Sequence, residues 1–218
     1  MITLTKQAES TTRRINYLNR IVKLLAATSI ACLSASGFAA ATLGQPAPSF
    51  SLKDLSGKTV QLADYKGKTV VLEWHNPGCP FVQKHYDSGN LPKLQRKVAQ
   101  QVVWLAINST NPGHPDFRDA AGYAKYMKDK GADAIPYLLD SDGKTGMSYG
   151  ARTTPHMFVV DKAGVLVYAG AIDSIRSANP ADVARATNHV AVALDEINAG
   201  KPVSTASTTP YGCSVKYP

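Results

Sequence analysis

The chain has 218 residues, with 24 Lys and Arg against 16 Asp and Glu, a formal charge of +8. Three cysteines are too few for a disulfide-stapled secreted scaffold, and a chain of this length buries a core without one. No cluster of basic residues interleaved with aromatics points to nucleic acid. No phosphate-cradling glycine loop or close Cys/His spacing implies a nucleotide, a metal or another bound cofactor.

The first segment reads as an export signal rather than as part of the fold. Lys6, Arg13, Arg14, Arg20 and Lys23 form a basic region, residues 24–38 an apolar one, and Ala39-Ala40-Ala41 a small-residue cleavage pattern. The apolar run is shorter than the roughly 18 residues that a membrane span requires. Residues 1–41 are therefore expected to be removed, after Ala39 or Ala41, from a protein exported to the bacterial periplasm and not membrane-spanning thereafter. Their loss takes away five of the 24 basic and one of the 16 acidic residues, leaving +4. Cys32 goes with them, and Cys79 and Cys213 remain.

Residues 50–52 and 60–62 alternate apolar and polar around Gly57, which predicts a hairpin, and residues 64–68 form a turn. The near-continuous apolar run 69–74 predicts a strand buried on both faces. A helix beginning at Pro80 is expected to stop in the breaker cluster 87–90, with a second helical piece over 91–100. Residues 102–107 read as a strand parallel to the first, joined by a right-handed crossover. A loop over 108–119, a helix over 120–130, a strand over 135–140 and a turn at Asp142-Gly143 follow. Strands over 157–161 and 165–171 form an antiparallel hairpin, and residues 180–198 the last helix. The Ser/Thr-rich tail, with Pro210 and Gly212, predicts no regular structure. Three segments are expected: the signal 1–41, an α/β domain 42–200 and a flexible tail 201–218 carrying Cys213.

The chemistry concentrates at Asn76-Pro77-Gly78-Cys79-Pro80. Proline is favoured at the first helical position, which makes Cys79 the N-cap of the helix. Free amides and the positive end of the helix dipole there favour negative charge, and the thiolate is the reactive form of cysteine. A thiolate at Cys79 can attack a disulfide to give a mixed disulfide, or a peroxide to give a sulfenic acid. Either product needs a second thiol. Cys213 is the candidate, although it lies 134 residues downstream.

The hairpin, the strand–helix–strand with a cysteine at the helix start, and the Thr154-Pro155 step before a second hairpin resemble the thioredoxin fold. The motifs Phe50-x-Leu-x-Asp54-x-x-Gly57-Lys-x-Val60 and Gly150-Ala-Arg-Thr-Thr154-Pro155-His-Met-Phe158 are similar to the redoxin branch, the alkyl hydroperoxide reductase/thiol-specific antioxidant or peroxiredoxin-like family. The resemblance implies an α/β, thioredoxin-like fold with a central mixed sheet flanked by helices. It also implies a cis Pro155 against Cys79, and antioxidant or thiol-disulfide oxidoreductase activity on protein thiols and disulfides or on peroxide, with an external thiol reductant. The ending Pro210-Tyr-Gly-Cys213 also looks like a motif of the group. Two departures stand out. Val82 replaces the second cysteine of Cys-x-x-Cys, so no dithiol cycle runs within this loop. Asn76 stands where peroxiredoxins carry Thr or Ser, and Pro155 aligns where they carry Arg, with Arg152 three residues away.

Other residues carry two readings each. Asn76 can orient a substrate or satisfy its own turn, and Trp74 can be a substrate platform or core. His75 and His156 can tune the thiol or simply pack. Arg152 can stabilise a thiolate or lie on a loop. His85 reads as solvent-facing, and Tyr123 and Tyr126 as packing residues. Two rival functions remain: copper handling through Cys79, Cys213 and His156, and a non-catalytic binding module whose tail is pinned by a disulfide.

Overall fold

The computed structural model describes residues 41–218, so the expected export signal, apart from Ala41, lies outside the described residues. Nine strands are described: β1 Ser51–Asp54, β2 Thr59–Gln61, β3 Thr69–Trp74, β4 Val102–Asn108, β5 Tyr137–Leu139, β6 Thr153–Thr154, β7 His156–Val160, β8 Leu166–Gly170 and β9 Cys213–Ser214. Five α-helices accompany them: α1 Pro80–Asp87, α2 Asn90–Val98, α3 Ala120–Asp129, α4 Lys144–Tyr149 and α5 His189–Asn198. Seven strands form one sheet in the order β2-β1-β5-β4-β3-β7-β8. β3 runs parallel to β4 and antiparallel to β7, so the sheet is mixed and β3 lies inside it. This is a thioredoxin-like fold with an N-terminal hairpin.

Every residue of β3 is buried because its two faces serve two cores. Val70, Leu72 and Trp74 point into a layer with Phe50, Ile107, Phe158 and Leu166. Val71 points into the opposite layer, with Tyr86 of α1, Leu91 of α2, Tyr123 of α3 and Leu194 of α5. The period-two alternation of a strand produces this division. The end of β3 carries the chain straight into the Asn76–Cys79 turn, closed by the Cys79 amide on the Asn76 carbonyl at 3.0 Å.

Two expectations require correction, and one helix was not foreseen. Residues 180–198 do not form one helix. A 3₁₀ helix, Pro180–Arg185, ends at an extended Ala186, and α5 restarts under Asn188, whose side chain accepts from the Ala191 amide at 2.9 Å. That cap competes with helix continuation. The turn at Gly143 opens a six-residue helix, α4, whose Thr145 and Gly146 amides bond buried Asp140 at 3.1 and 2.9 Å.

The tail is the second correction, because it is built into the fold. Residues 206–208 run along β8, with Ala169 N donating to Ala206 O at 3.0 Å and Ala171 N to Thr208 Oγ1 at 2.8 Å. β9 then pairs antiparallel with β6, Thr154 opposite Cys213. Val215 N bonds Arg152 O at 3.0 Å, and Tyr217 Oη bonds Ala151 O at 2.7 Å. Burying Tyr211, 4% exposed, supplies about 1.5–3 kcal/mol toward ordering the segment.

Candidate active site

Cys79 is the N-cap of α1, with φ −83° and ψ 121°, and Pro80 occupies the first helical position. Its thiol is not turned onto the helix amides. It donates to the Thr154 carbonyl at 2.9 Å, immediately before the cis Thr154–Pro155 peptide. Because Thr154 is the register partner of Cys213, the tail sulfur comes to the same spot. Burial, and then the neighbouring Cys79 thiol and its charge, raise the Cys213 thiol to about 12. Cys79 is 1% exposed, whereas Cys213 is only partly buried.

A buried polar cluster anchors the tail beside the sulfurs. Lys84 of α1, wholly covered, bonds Asp173 Oδ2 and the Ile175 carbonyl, each at 2.9 Å, and Tyr211 Oη at 3.2 Å. The Tyr211 hydroxyl donates to Asp173 Oδ1 and meets His85 Nε2 at 3.3 Å. The Phe81 ring packs edge-on against Tyr211, 5.8 Å between centroids. A buried lysine without partners would be costly, so this set ties α1, the Asp173 loop and the tail together. His85, expected to face solvent, is instead fully buried, and burial lowers its pKa to about 4.

The other expected site residues divide. Asn76 is buried. Its Oδ1 accepts from the Gly78 amide at 2.9 Å and its Nδ2 donates to Asp116 Oδ2 at 2.8 Å, so its amide shapes the loop. Trp74 is core, its indole N–H on Ser109 Oγ at 3.0 Å. Arg152 is exposed and meets the tail through its backbone carbonyl. His156 is buried with a pKa lowered to about 3 by burial and then by Arg152. Tyr123 and Tyr126 are buried as expected.

Behind Cys79, on the same face of the sheet, lies a second polar cluster. Glu73 is fully buried and accepts from Tyr86 Oη at 2.9 Å, Trp104 Nε1 at 2.8 Å and Gln95 Nε2 at 3.4 Å. Desolvation outweighs these donors and raises its carboxyl to about 7. His75 bonds the Tyr137 hydroxyl through Nδ1 at 3.0 Å, and burial lowers its pKa to about 3. Among the described residues, no group of three or more His, Cys, Asp or Glu side chains is placed to hold a metal ion. No described helix is long and apolar enough to cross a membrane.

Sequence reasoning missed Tyr211, Gly212, Lys84, Asp173 and the backbone of Thr154. The run Pro210-Tyr-Gly-Cys213 was the signal available for the first two.

The sequence matches the Redoxin family over residues 42–190. It is 30% identical over 123 residues to thioredoxin-like protein YneN of Bacillus subtilis, covering 56% of this chain and 68% of that one. It is 29% identical over 139 residues to thiol:disulfide interchange protein DsbE of Pseudomonas aeruginosa, covering 62% and 69%. With thiol-disulfide oxidoreductase ResA of Bacillus thuringiensis it shares 28% over 127 residues, 57% and 67% of the two chains. The structure is similar to that of an uncharacterized conserved protein from Geobacillus kaustophilus. The TM-score is 0.71 at 27% identity, covering 81% of this chain and 93% of that one. A hypothetical protein from Sinorhizobium meliloti gives 0.70 at 28% identity, covering 81% and 95%.

Proposed function

The chain belongs to the Redoxin family, and from that premise we propose that it is a thiol–disulfide oxidoreductase with Cys79 as nucleophile and Cys213 as resolving thiol. One observation carries the reading: the thiol at the start of α1 bonds the carbonyl of Thr154, the residue that pairs with the tail cysteine Cys213. The names of the DsbE and ResA relatives agree with disulfide chemistry.

Cys79 attacks a substrate disulfide, forming a mixed disulfide and releasing one thiolate. Cys213 gives up its proton and attacks the Cys79 sulfur, releasing the second thiol and closing the Cys79–Cys213 bond. Val82, fully buried, stands where the second cysteine of a Cys-x-x-Cys loop would lie, so the tail supplies what the helix lacks. Disulfide exchange is favoured over peroxide reduction. The Asn76 amide is occupied by Gly78 and Asp116 rather than offered to a peroxide, and the Arg152 charge acts on His156. The substrates are protein thiols and disulfides, with an external thiol as reductant. The exported, periplasmic setting expected from residues 1–41 provides both.

Turnover of a disulfide substrate by single-cysteine variants tests the assignment. Cys79→Ser abolishes turnover, while Cys213→Ser forms the mixed disulfide at Cys79 and stalls there. Full turnover by Cys79→Ser overturns the reading.

A further inference from the structure

Resting on that two-cysteine reading, we propose that the external reductant enters at Cys213. The incoming thiol attacks the Cys213 sulfur of the Cys79–Cys213 disulfide, and Cys79 is the leaving group. Exchange at sulfur proceeds in line, with the attacking thiolate approaching opposite the departing one, and access selects which sulfur is attacked. Attack on Cys79 is the more hindered of the two, because Cys79 is 1% exposed and clusters with Val82, Tyr86 and Met157. Attack on Cys213 comes from the outer side of the tail, where that residue is only partly buried. β9 pairs with β6 alone in its two-stranded sheet, so no further strand of that sheet stands on its outer edge.

The leaving side favours the same direction. A thiolate released from Cys79 departs at the N-terminus of the eight-residue helix α1, where the helix dipole favours negative charge. A thiolate released from Cys213 has no helix start beneath it.

The step balances as follows. The thiolate RS⁻ bonds to Cys213 Sγ as the Cys79–Cys213 bond breaks. The electron pair of that bond goes to Cys79 Sγ, which takes up a proton. A second RS⁻ attacks the R-side sulfur of the mixed disulfide, releasing RSSR and the Cys213 thiolate, which is protonated. Two thiols are oxidised and one protein disulfide is reduced.

Glutathione serves as the probe. Oxidised wild-type protein is mapped first for the Cys79–Cys213 disulfide, then mixed with glutathione, acid-quenched at successive times, alkylated with N-ethylmaleimide and mapped again. The expected species carries glutathione on Cys213 and maleimide on Cys79, in roughly tenfold or greater excess over the reverse pattern. Glutathione found mainly on Cys79, or divided equally, overturns the proposal while leaving the two-cysteine reading intact. Failure to form the starting disulfide overturns both.

Discussion

Gly212 lies so close to Thr154 that a Cβ on it would run into the Thr154 carbonyl oxygen, the same atom that accepts the Cys79 thiol. Its φ of 139° belongs to the region that side chains rarely adopt. One glycine thus lets the tail backbone reach the carbonyl that also positions the nucleophile. Gly212→Ala is expected to lift β9 from β6 at a cost of about 1–3 kcal/mol, and Cys213 alkylates faster than it does in the wild-type protein. Wild-type alkylation rates at both cysteines in the variant would contradict this.

Tyr211 holds the strand from its other end. Tyr211→Phe removes a hydroxyl from Lys84 and Asp173 and is expected to cost about 1–3 kcal/mol by urea denaturation. Lys84→Met is expected to cost more, about 3–5 kcal/mol, because Asp173 stays buried with its cation gone. Equal losses in the two variants would argue against a buried ion pair at the centre of the anchor.

The buried titrating groups set opposing pH trends. His75, His85 and His156 have folded pKa values lowered to about 3, 4 and 3, so below pH 6.5 the unfolded chain takes up protons that the folded one refuses. Their contribution to stability is present above 6.5 and is lost as pH falls toward those values. Glu73 has its value raised to about 7, so between 4.5 and 7 the folded chain binds the extra proton and stability falls as pH rises. Three histidines outweigh one glutamate across pH 4.5–6.5, and stability is expected to rise through that window and level off above it. Glu73→Gln removes the opposing trend and steepens the rise, by roughly 3 kcal/mol in full. Denaturant midpoints measured from pH 4.5 to 8 check both features, and a rise no steeper in Glu73→Gln than in wild type would assign the opposing trend elsewhere.

Much of the fold was legible because its signals are local. The unbroken apolar run of β3 announced a strand buried on both faces, and Pro80 announced a helix capped by Cys79. The Thr154-Pro155 step carried the cis peptide that the resemblance implied. What escaped depends on distant partners. Tyr211 meets Lys84 across 127 positions of sequence, and no periodicity within a Ser/Thr-rich tail reports that. His85 reads as a polar helix residue until Asn90, Asp173 and Tyr211 are brought around it. Asn188 looks like one more helical residue until its side chain caps a new start. The nucleophile was therefore readable from its own neighbourhood, whereas the seat of its partner was not.

The central claim, that Cys79 and Cys213 form one reversible redox couple, is tested most directly by mild oxidation of the protein followed by alkylation and peptide mapping. The account predicts that both thiols vanish together into an intramolecular Cys79–Cys213 linkage and return together on reduction. Two alkylatable thiols after oxidation, or linkage only between separate molecules, would contradict it.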